Sequence, residues 1–171
     1  VLAVDHSNSP IQIKVLIGND NECNVTITPV TNMDEILPTC DYISIHVPKQ
    51  ANGSAVFTST EFAKMKDGVV LINCARGGLY NEDALVENLK SGKIAMAGID
   101  VFIKEPATSH PLLDLPNVTV TAHLGANTKE SQREISVQAA NNAIESARGI
   151  AYPNALNLPI DESKIPSFVK P

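Results

Sequence analysis

Val69-Val-Leu-Ile-Asn-Cys-Ala-Arg-Gly-Gly78 sets four consecutive apolar residues, three of them β-branched, directly before a polar turn rich in glycine. An apolar run without alternation reads as a strand buried on both faces, and such strands belong to parallel sheets covered by helices. The same grammar recurs along the chain. Val1-Leu-Ala-Val4 ends at Asp5, and Tyr42-Ile-Ser-Ile-His-Val47 is closed by Pro48. Ile94-Ala-Met-Ala-Gly-Ile99 reaches Asp100, and Val118-Thr-Val-Thr-Ala122 reaches His123. Val25-Thr-Ile-Thr28 reads as a further, second strand, with turn chemistry before it at Asn19–Asn24 and a short helical or loop segment opened by Ser9-Pro10. Met33–Leu37 has room for one helical turn before Pro38.

Helical signals fill the intervals. Thr58 and Glu61 are spaced as a capping box for a helix to about Lys66. Asn81 caps a helix to about Ser91 that carries Leu85 and Leu89 one turn apart and stops at Gly92. Thr128 starts a long helix to Arg148, with Ile135, Ala139, Ala143, Ile144 and Ala147 along one face. Strands alternating with helices predict an α/β domain built on a doubly wound parallel sheet. Ligands of such sheets bind beyond the carboxyl ends of the strands. Asp5, His46, Arg76, Asp100 and His123 all fall at or just after a strand end, so five polar residues are aimed at one rim.

Composition bounds the reading. The chain has 171 residues, 43% hydrophobic and 19% charged, which suits one globular domain rather than a disordered segment. Thirteen Lys and Arg against 19 Asp and Glu give a formal charge of −6, which argues against a nucleic-acid surface. No apolar run approaches the roughly 20 residues of a membrane span, and the pattern of a charged region followed by an apolar stretch, the mark of a signal peptide, is not visible in this sequence. Three cysteines without a Cys-x-x-Cys exclude the usual zinc spacings, and no metal site is expected. They point to a reducing compartment, the cytoplasm.

Taken singly, the rim residues keep two readings. Asp5 can accept hydrogen bonds from the ribose hydroxyls of NAD, or cap a turn with Ser7 and Ser9. Arg76 can hold a carboxylate bidentately, or be a surface arginine in a glycine turn. Glu105 can fix the tautomer of a histidine, or be an exposed loop glutamate. His123, between a strand and a helix start, can serve as a general acid/base, or be a satisfied structural histidine. His6 and His110 lie in loops and read as structural.

Together these stretches resemble the D-isomer-specific 2-hydroxyacid dehydrogenase family. Met65-Lys-Asp-Gly-Val-Val-Leu-Ile-Asn-Cys-Ala-Arg-Gly-Gly78, Asp100-Val-Phe-x-x-Glu-Pro106 and His123-Leu-Gly-Ala126 are similar to three of its signatures, in order. Glu105 follows Arg76 by 29 residues and His123 follows Glu105 by 18. His123-Leu-Gly-Ala-Asn-Thr-Lys-Glu-Ser-Gln132 and Pro153-Asn-Ala-Leu-Asn157 are most similar to the phosphoglycerate dehydrogenase branch. Val47, Tyr80, Asn127 and the long connection from Asp5 to Val25 depart from the usual pattern.

The resemblance implies a Rossmann-like fold and NAD as cofactor. It implies that Arg76 binds the substrate carboxylate and carbonyl, that His123 exchanges the proton and that Glu105 orients it. Asp5 is implied to hold the ribose and Asp100 the nicotinamide amide, with His46, Val47, Pro48, Cys74, Ala75, Arg76, His123, Leu124, Gly125 and Ala126 lining the cofactor. The implied reaction is hydride transfer between NAD and a small 2-hydroxyacid or 2-oxoacid, with 3-phosphoglycerate, in serine biosynthesis, first in line. Hydroxypyruvate, glyoxylate and D-lactate are alternatives, as is an NAD-sensing co-repressor-like module. A homodimer through the cofactor domain is also implied.

The fingerprint Gly-x-Gly-x-x-Gly belongs about 20 residues before the ribose-binding acid, and the chain contains none. The expectation is therefore an incomplete domain. Residues 1–150 form an NAD-binding domain lacking its first strand and glycine-rich loop, and residues 151–171 form a linker returning towards a substrate domain outside this chain.

Overall fold

Strand signals along a chain do not state which strands are neighbours. The computed structural model settles this for the residues it describes, 2–4, 9–17 and 21–148. The chain divides into two compact units, residues 1–123 and 124–171. In the first unit the order is β1 (Ala3–Val4), β2 (Ile11–Ile17), β3 (Asn21–Ile27), β4 (Pro29–Val30), β5 (Tyr42–Ile45), α1 (Ser59–Lys64), β6 (Val69–Asn73), α2 (Glu82–Ser91), β7 (Ile94–Ile99) and β8 (Val118–Val120). Short 3₁₀ turns lie at Met33–Glu35 and Pro111–Asp114.

The centre is a four-stranded parallel sheet in the order β5-β6-β7-β8. Its register pairs Leu71 with Ile43 on one side and with Ala97 on the other, and Ile99 with Val120. Parallel neighbours need crossovers, and α1 and α2 supply two of them. Each helix is built from local chemistry. The Thr58 N–H and hydroxyl both donate to Glu61, closing the capping box before α1. Burial works against ionisation of Glu61, yet those hydrogen bonds hold its carboxyl below the ordinary value. The Asn81 side chain accepts from the Ala84 N–H at 2.9 Å, and α2 ends at Gly92, whose φ of 80° lies in the left-handed region.

The core lies on one face of the sheet. Val69, Leu71, Ile94, Ala97 and Ile99 are buried with Phe62 of α1 and Leu85 and Leu89 of α2, whereas Met96 on the other face is half exposed. Phe57 and Tyr80 stack with ring centres 5.4 Å apart, and Phe62 meets both edge-on. Tyr80 belongs here although its position departs from the usual pattern. It is 2% exposed and its hydroxyl donates to the Ile72 carbonyl at 2.8 Å. Burial pushes that hydroxyl's pKa up, so it remains a donor. Tyr80→Phe is expected to cost about 1 kcal/mol, read from denaturant unfolding of the full-length protein, because only this one hydrogen bond is removed.

The N-terminal stretch differs from its reading. The segment after Ser9-Pro10 is a strand, β2, paired antiparallel with β3 from Ile11↔Ile27 to Ile17↔Asn21. The cause is period-two patterning: Ile11, Ile13, Val15 and Ile17 share one face with Val25 and Ile27, while Gln12, Lys14 and Glu22 lie on the other. Val25–Thr28, read as the second strand, is strand through Ile27 as part of β3, antiparallel to β2, and the strand parallel to Ala3–Val4 is Pro29–Val30. Among the described residues no ladder joins β1 to β5, so the parallel strands form two separate sheets.

The second unit is described by α3 (Lys129–Ala147), capped by the Thr128 side chain accepting from the Ser131 N–H. Its expected apolar face is not covered: Ile135 and Ile144 are about half exposed and no residue of the helix is buried. Asp5, His6, Ser7 and the segment 151–171 lie outside the described residues.

Candidate active site

Four strand ends deliver the site residues of the first unit. His46 follows β5, Cys74 to Arg76 follow β6, Asp100 follows β7, and His123 follows the end of β8 by three residues. Parallel pairing in the order β5-β6-β7-β8 sets these ends along one rim. The rim predicted from strand endings therefore exists, apart from Asp5.

The turn after β6 is shaped by Asn73, 2% exposed. Its side-chain carbonyl accepts from the Ala75 N–H and its amide donates to the Arg76 carbonyl, both at 3.0 Å. This buried amide satisfies a turn that would otherwise leave backbone groups unpaired. Arg76 itself is exposed, and one guanidinium N–H donates to the Ala75 carbonyl at 2.6 Å. A guanidinium has five N–H donors, so the rest of the fork remains for a carboxylate.

The turn after β7 carries the acid. Asp100 is 4% exposed and accepts from the Thr121 hydroxyl at the end of β8. Glu105 uses both oxygens: one accepts the Phe102 N–H at 2.9 Å, the other meets His123 Nδ1 at 2.9 Å. The hydrogen bond from His123, seconded by the one from Phe102, holds the Glu105 carboxyl below its ordinary value despite the charge of Asp100. A carboxylate on Nδ1 fixes the tautomer with the proton there and leaves Nε2 as the basic atom. His123 has φ of 55°, a left-handed backbone that costs an L residue roughly 1–2 kcal/mol. Its N–H donates to the Asp100 carbonyl at 3.0 Å, which anchors it there.

Gly77 joins the two turns. A Cβ on Gly77 would fall 1.9 Å from the Phe102 carbonyl oxygen, so the two backbones touch. Arg76 and the Glu105–His123 pair thus sit on abutting turns, although no hydrogen bond links the guanidinium to either partner among the described residues. His46 stands apart, its Nε2 2.7 Å from the Ser44 hydroxyl. Leu124, Gly125 and Ala126 open the second unit.

The rim's chemistry is compatible with a dinucleotide. Val47 is 40% exposed beyond β5, Cys74 and Ala75 are small, and Asp100 is an acceptor. Sequence reasoning passed over Asn73, Thr121, Glu82 and the pairing of His110. Asn73 and Glu82 carried a local signal, as a polar residue ending an apolar strand and an acid in a first helical turn; Thr121 and His110 act through partners distant in sequence.

Because Glu105 is lowered, the stability its pairing adds is present above the ordinary glutamate range and is lost as pH falls through the lowered folded value. Thermal melts from neutrality into acid are expected to show this as extra acid sensitivity that Glu105→Gln removes. An identical acid profile in the variant counts against the pairing.

Residues 3–125 match the family described as "D-isomer specific 2-hydroxyacid dehydrogenase, NAD binding domain". A D-3-phosphoglycerate dehydrogenase of Archaeoglobus fulgidus is 39% identical over 83% of this chain and 27% of its own length. One from Bacillus subtilis is 41% identical over 74% of this chain and 24% of its own. Among solved structures, a glyoxylate reductase from Paecilomyes thermophila superposes with a TM-score of 0.65 and 38% identity, over 70% of this chain and 36% of that one. The chain spans about a quarter of the length of these curated relatives. Among the described residues no helix is long and apolar enough to cross a membrane, and no cluster of acids, histidines and cysteines could hold a metal.

Proposed function

This chain belongs to the D-isomer specific 2-hydroxyacid dehydrogenase family through its NAD binding domain, and from that premise we propose that it forms the cofactor half of an enzyme interconverting a D-2-hydroxyacid and its 2-oxoacid. The observation that carries the reading is the 2.9 Å contact between Glu105 and His123 Nδ1 on a turn abutting that of Arg76. NAD, when bound, supplies the hydride acceptor or donor. His46, Val47, Pro48, Cys74, Ala75, Arg76 and His123 are the described first-unit residues that would line it, with Asp100 at its nicotinamide amide and Asp5 at its ribose.

The chain's own residues do the rest. Arg76 holds the substrate carboxylate and so presents the reacting carbon in one orientation. His123 Nε2 takes the hydroxyl proton during oxidation and returns it during reduction. Glu105, its carboxyl held below the ordinary value by its hydrogen bonds, stabilises the imidazolium formed in between.

The preferred substrate is 3-phosphoglycerate, a place in serine biosynthesis, supported by the identity to phosphoglycerate dehydrogenases across most of the chain. Glyoxylate is the second reading, favoured by the similarity to a glyoxylate reductase. The test is absorbance of NADH in the full-length protein, offered 3-phosphoglycerate with NAD and glyoxylate with NADH. Faster turnover of 3-phosphoglycerate is expected, and no turnover of any 2-hydroxyacid or 2-oxoacid would overturn the assignment.

A further parallel strand with its glycine-rich turn, placed between β1 and β5, completes this domain, and residues 151–171 lead to a substrate domain. The two separate parallel sheets and the missing glycine fingerprint support this. Calorimetry of residues 1–171 alone is expected to lack a cooperative monomeric transition and tight NAD binding; finding both would remove this part. Unpaired Cys23, Cys40 and Cys74 suit a reducing cytoplasm, and the exposed Ile135 and Ile144 of α3 suit burial against a second copy in a homodimer.

A further inference from the structure

The loop that carries Glu105 is held at both ends by a second carboxylate, Glu82, the first residue of α2. Glu82 Oε1 accepts the Ile103 N–H at 2.8 Å, and its Oε2 lies 3.0 Å from His110 Nε2. His110 Nδ1 accepts the Leu112 N–H at 3.2 Å, so the ring proton is on Nε2 and is given to Glu82. The pair is largely withdrawn from solvent, with side chains 22% and 13% exposed. The His110 ring also packs on Phe102, centres 5.3 Å apart. Phe102 is the residue whose N–H binds Glu105, and its carbonyl is the atom against which Gly77 rests.

We propose that Glu82 and His110 are positioning residues: they clamp the 103–110 loop so that Glu105 is presented to His123. Its catalytic consequence rests on the dehydrogenase reading above. One carboxylate bridges the loop's two ends, and six residues between them turn back with Glu105 inside the span. Without the clamp, Ile103 loses its acceptor and His110 its anchor. The Phe102 N–H then no longer has a fixed place from which to hold Glu105. Neither Glu82 nor His110 bonds to Arg76, Glu105 or His123 directly, so their effect must pass through the loop backbone.

The test is a double-mutant cycle on kcat in the full-length enzyme, with ¹⁵N NMR of the His123 ring as the second readout. Glu82→Ala is expected to lower kcat roughly 10- to 100-fold, as a displaced catalytic group does, with KM for NAD unchanged. The His123 ring is expected to lose its Nδ1–H tautomer. In a Glu105→Ala background the same change is expected to cost nothing further, since the clamp has nothing left to present. Should Glu82→Ala fail to fold, Glu82→Gln, which keeps one carbonyl acceptor, takes its place with a smaller expected fall. Additive losses, or a folded variant with unchanged His123 tautomer, would overturn the clamp. Absence of any 2-hydroxyacid turnover in the unsubstituted enzyme overturns the dehydrogenase reading instead, and the tautomer measurement still decides the clamp.

Discussion

Replacing His123 with alanine in the full-length enzyme is expected to lower turnover by roughly 10²–10⁴, the usual contribution of a positioned acid/base. The reason lies in the wiring of the ring. Nδ1 is committed to Glu105 at 2.9 Å, which in the proposed reaction leaves Nε2 to carry the substrate proton. The His123 side chain is half exposed, as a group that meets an incoming substrate must be. Glu105→Gln is expected to be milder: an amide carbonyl can still accept from Nδ1, while the charge that steadies the imidazolium is gone. Steady-state kinetics on the two variants check both expectations, and unchanged turnover in His123→Ala would take the histidine out of the proton path.

Adding a single methyl group at Gly77 is expected to be as damaging to the fold as the histidine change is to the chemistry. The new Cβ would lie 1.9 Å from the Phe102 oxygen, 2.0 Å from its carbonyl carbon and 2.6 Å from the Ile103 nitrogen. All three are backbone atoms, so no rotamer change relieves the overlap and the two turns must separate. A loss of about 3 kcal/mol or more is expected from chemical denaturation of the full-length protein, at the upper end for overpacking. Substrate affinity should fall with it, since Arg76 is the preceding residue. Gly98→Ala is the control: its Cβ would meet Ile72 Cγ1 at 3.9 Å, an ordinary contact, and little change is expected. A Gly77→Ala protein as stable as the Gly98→Ala protein would mean that the two turns are not in backbone contact.

Much of the architecture was legible because its causes are local. Four strands after Tyr42 announce themselves by short apolar runs, and α2 by an asparagine at its start and a glycine at its end. The misread stretch, residues 9–30, shows the limit. Its Ile11-Gln-Ile-Lys-Val15 alternation is a strand signal, but the partner that makes it a hairpin is β3, and the strand beside β1 is only two residues long. Short pairings of this kind carry almost no propensity of their own.

The site divides along the same line. The sequence alone determined which residues could do chemistry: a guanidinium in a glycine turn, a carboxylate before a proline, an imidazole after a strand, each an intrinsic property of a side chain and its neighbours. Only the tertiary structure decided that Glu105 grips His123, that Gly77 lets the turns of Arg76 and Phe102 touch, and that Glu82 reaches Ile103 and His110 together. Those contacts join residues 18 to 28 positions apart, and their distances follow from how parallel strands are ordered and registered. Neighbour order in a sheet is a property of the whole packed chain, which no window of residues contains.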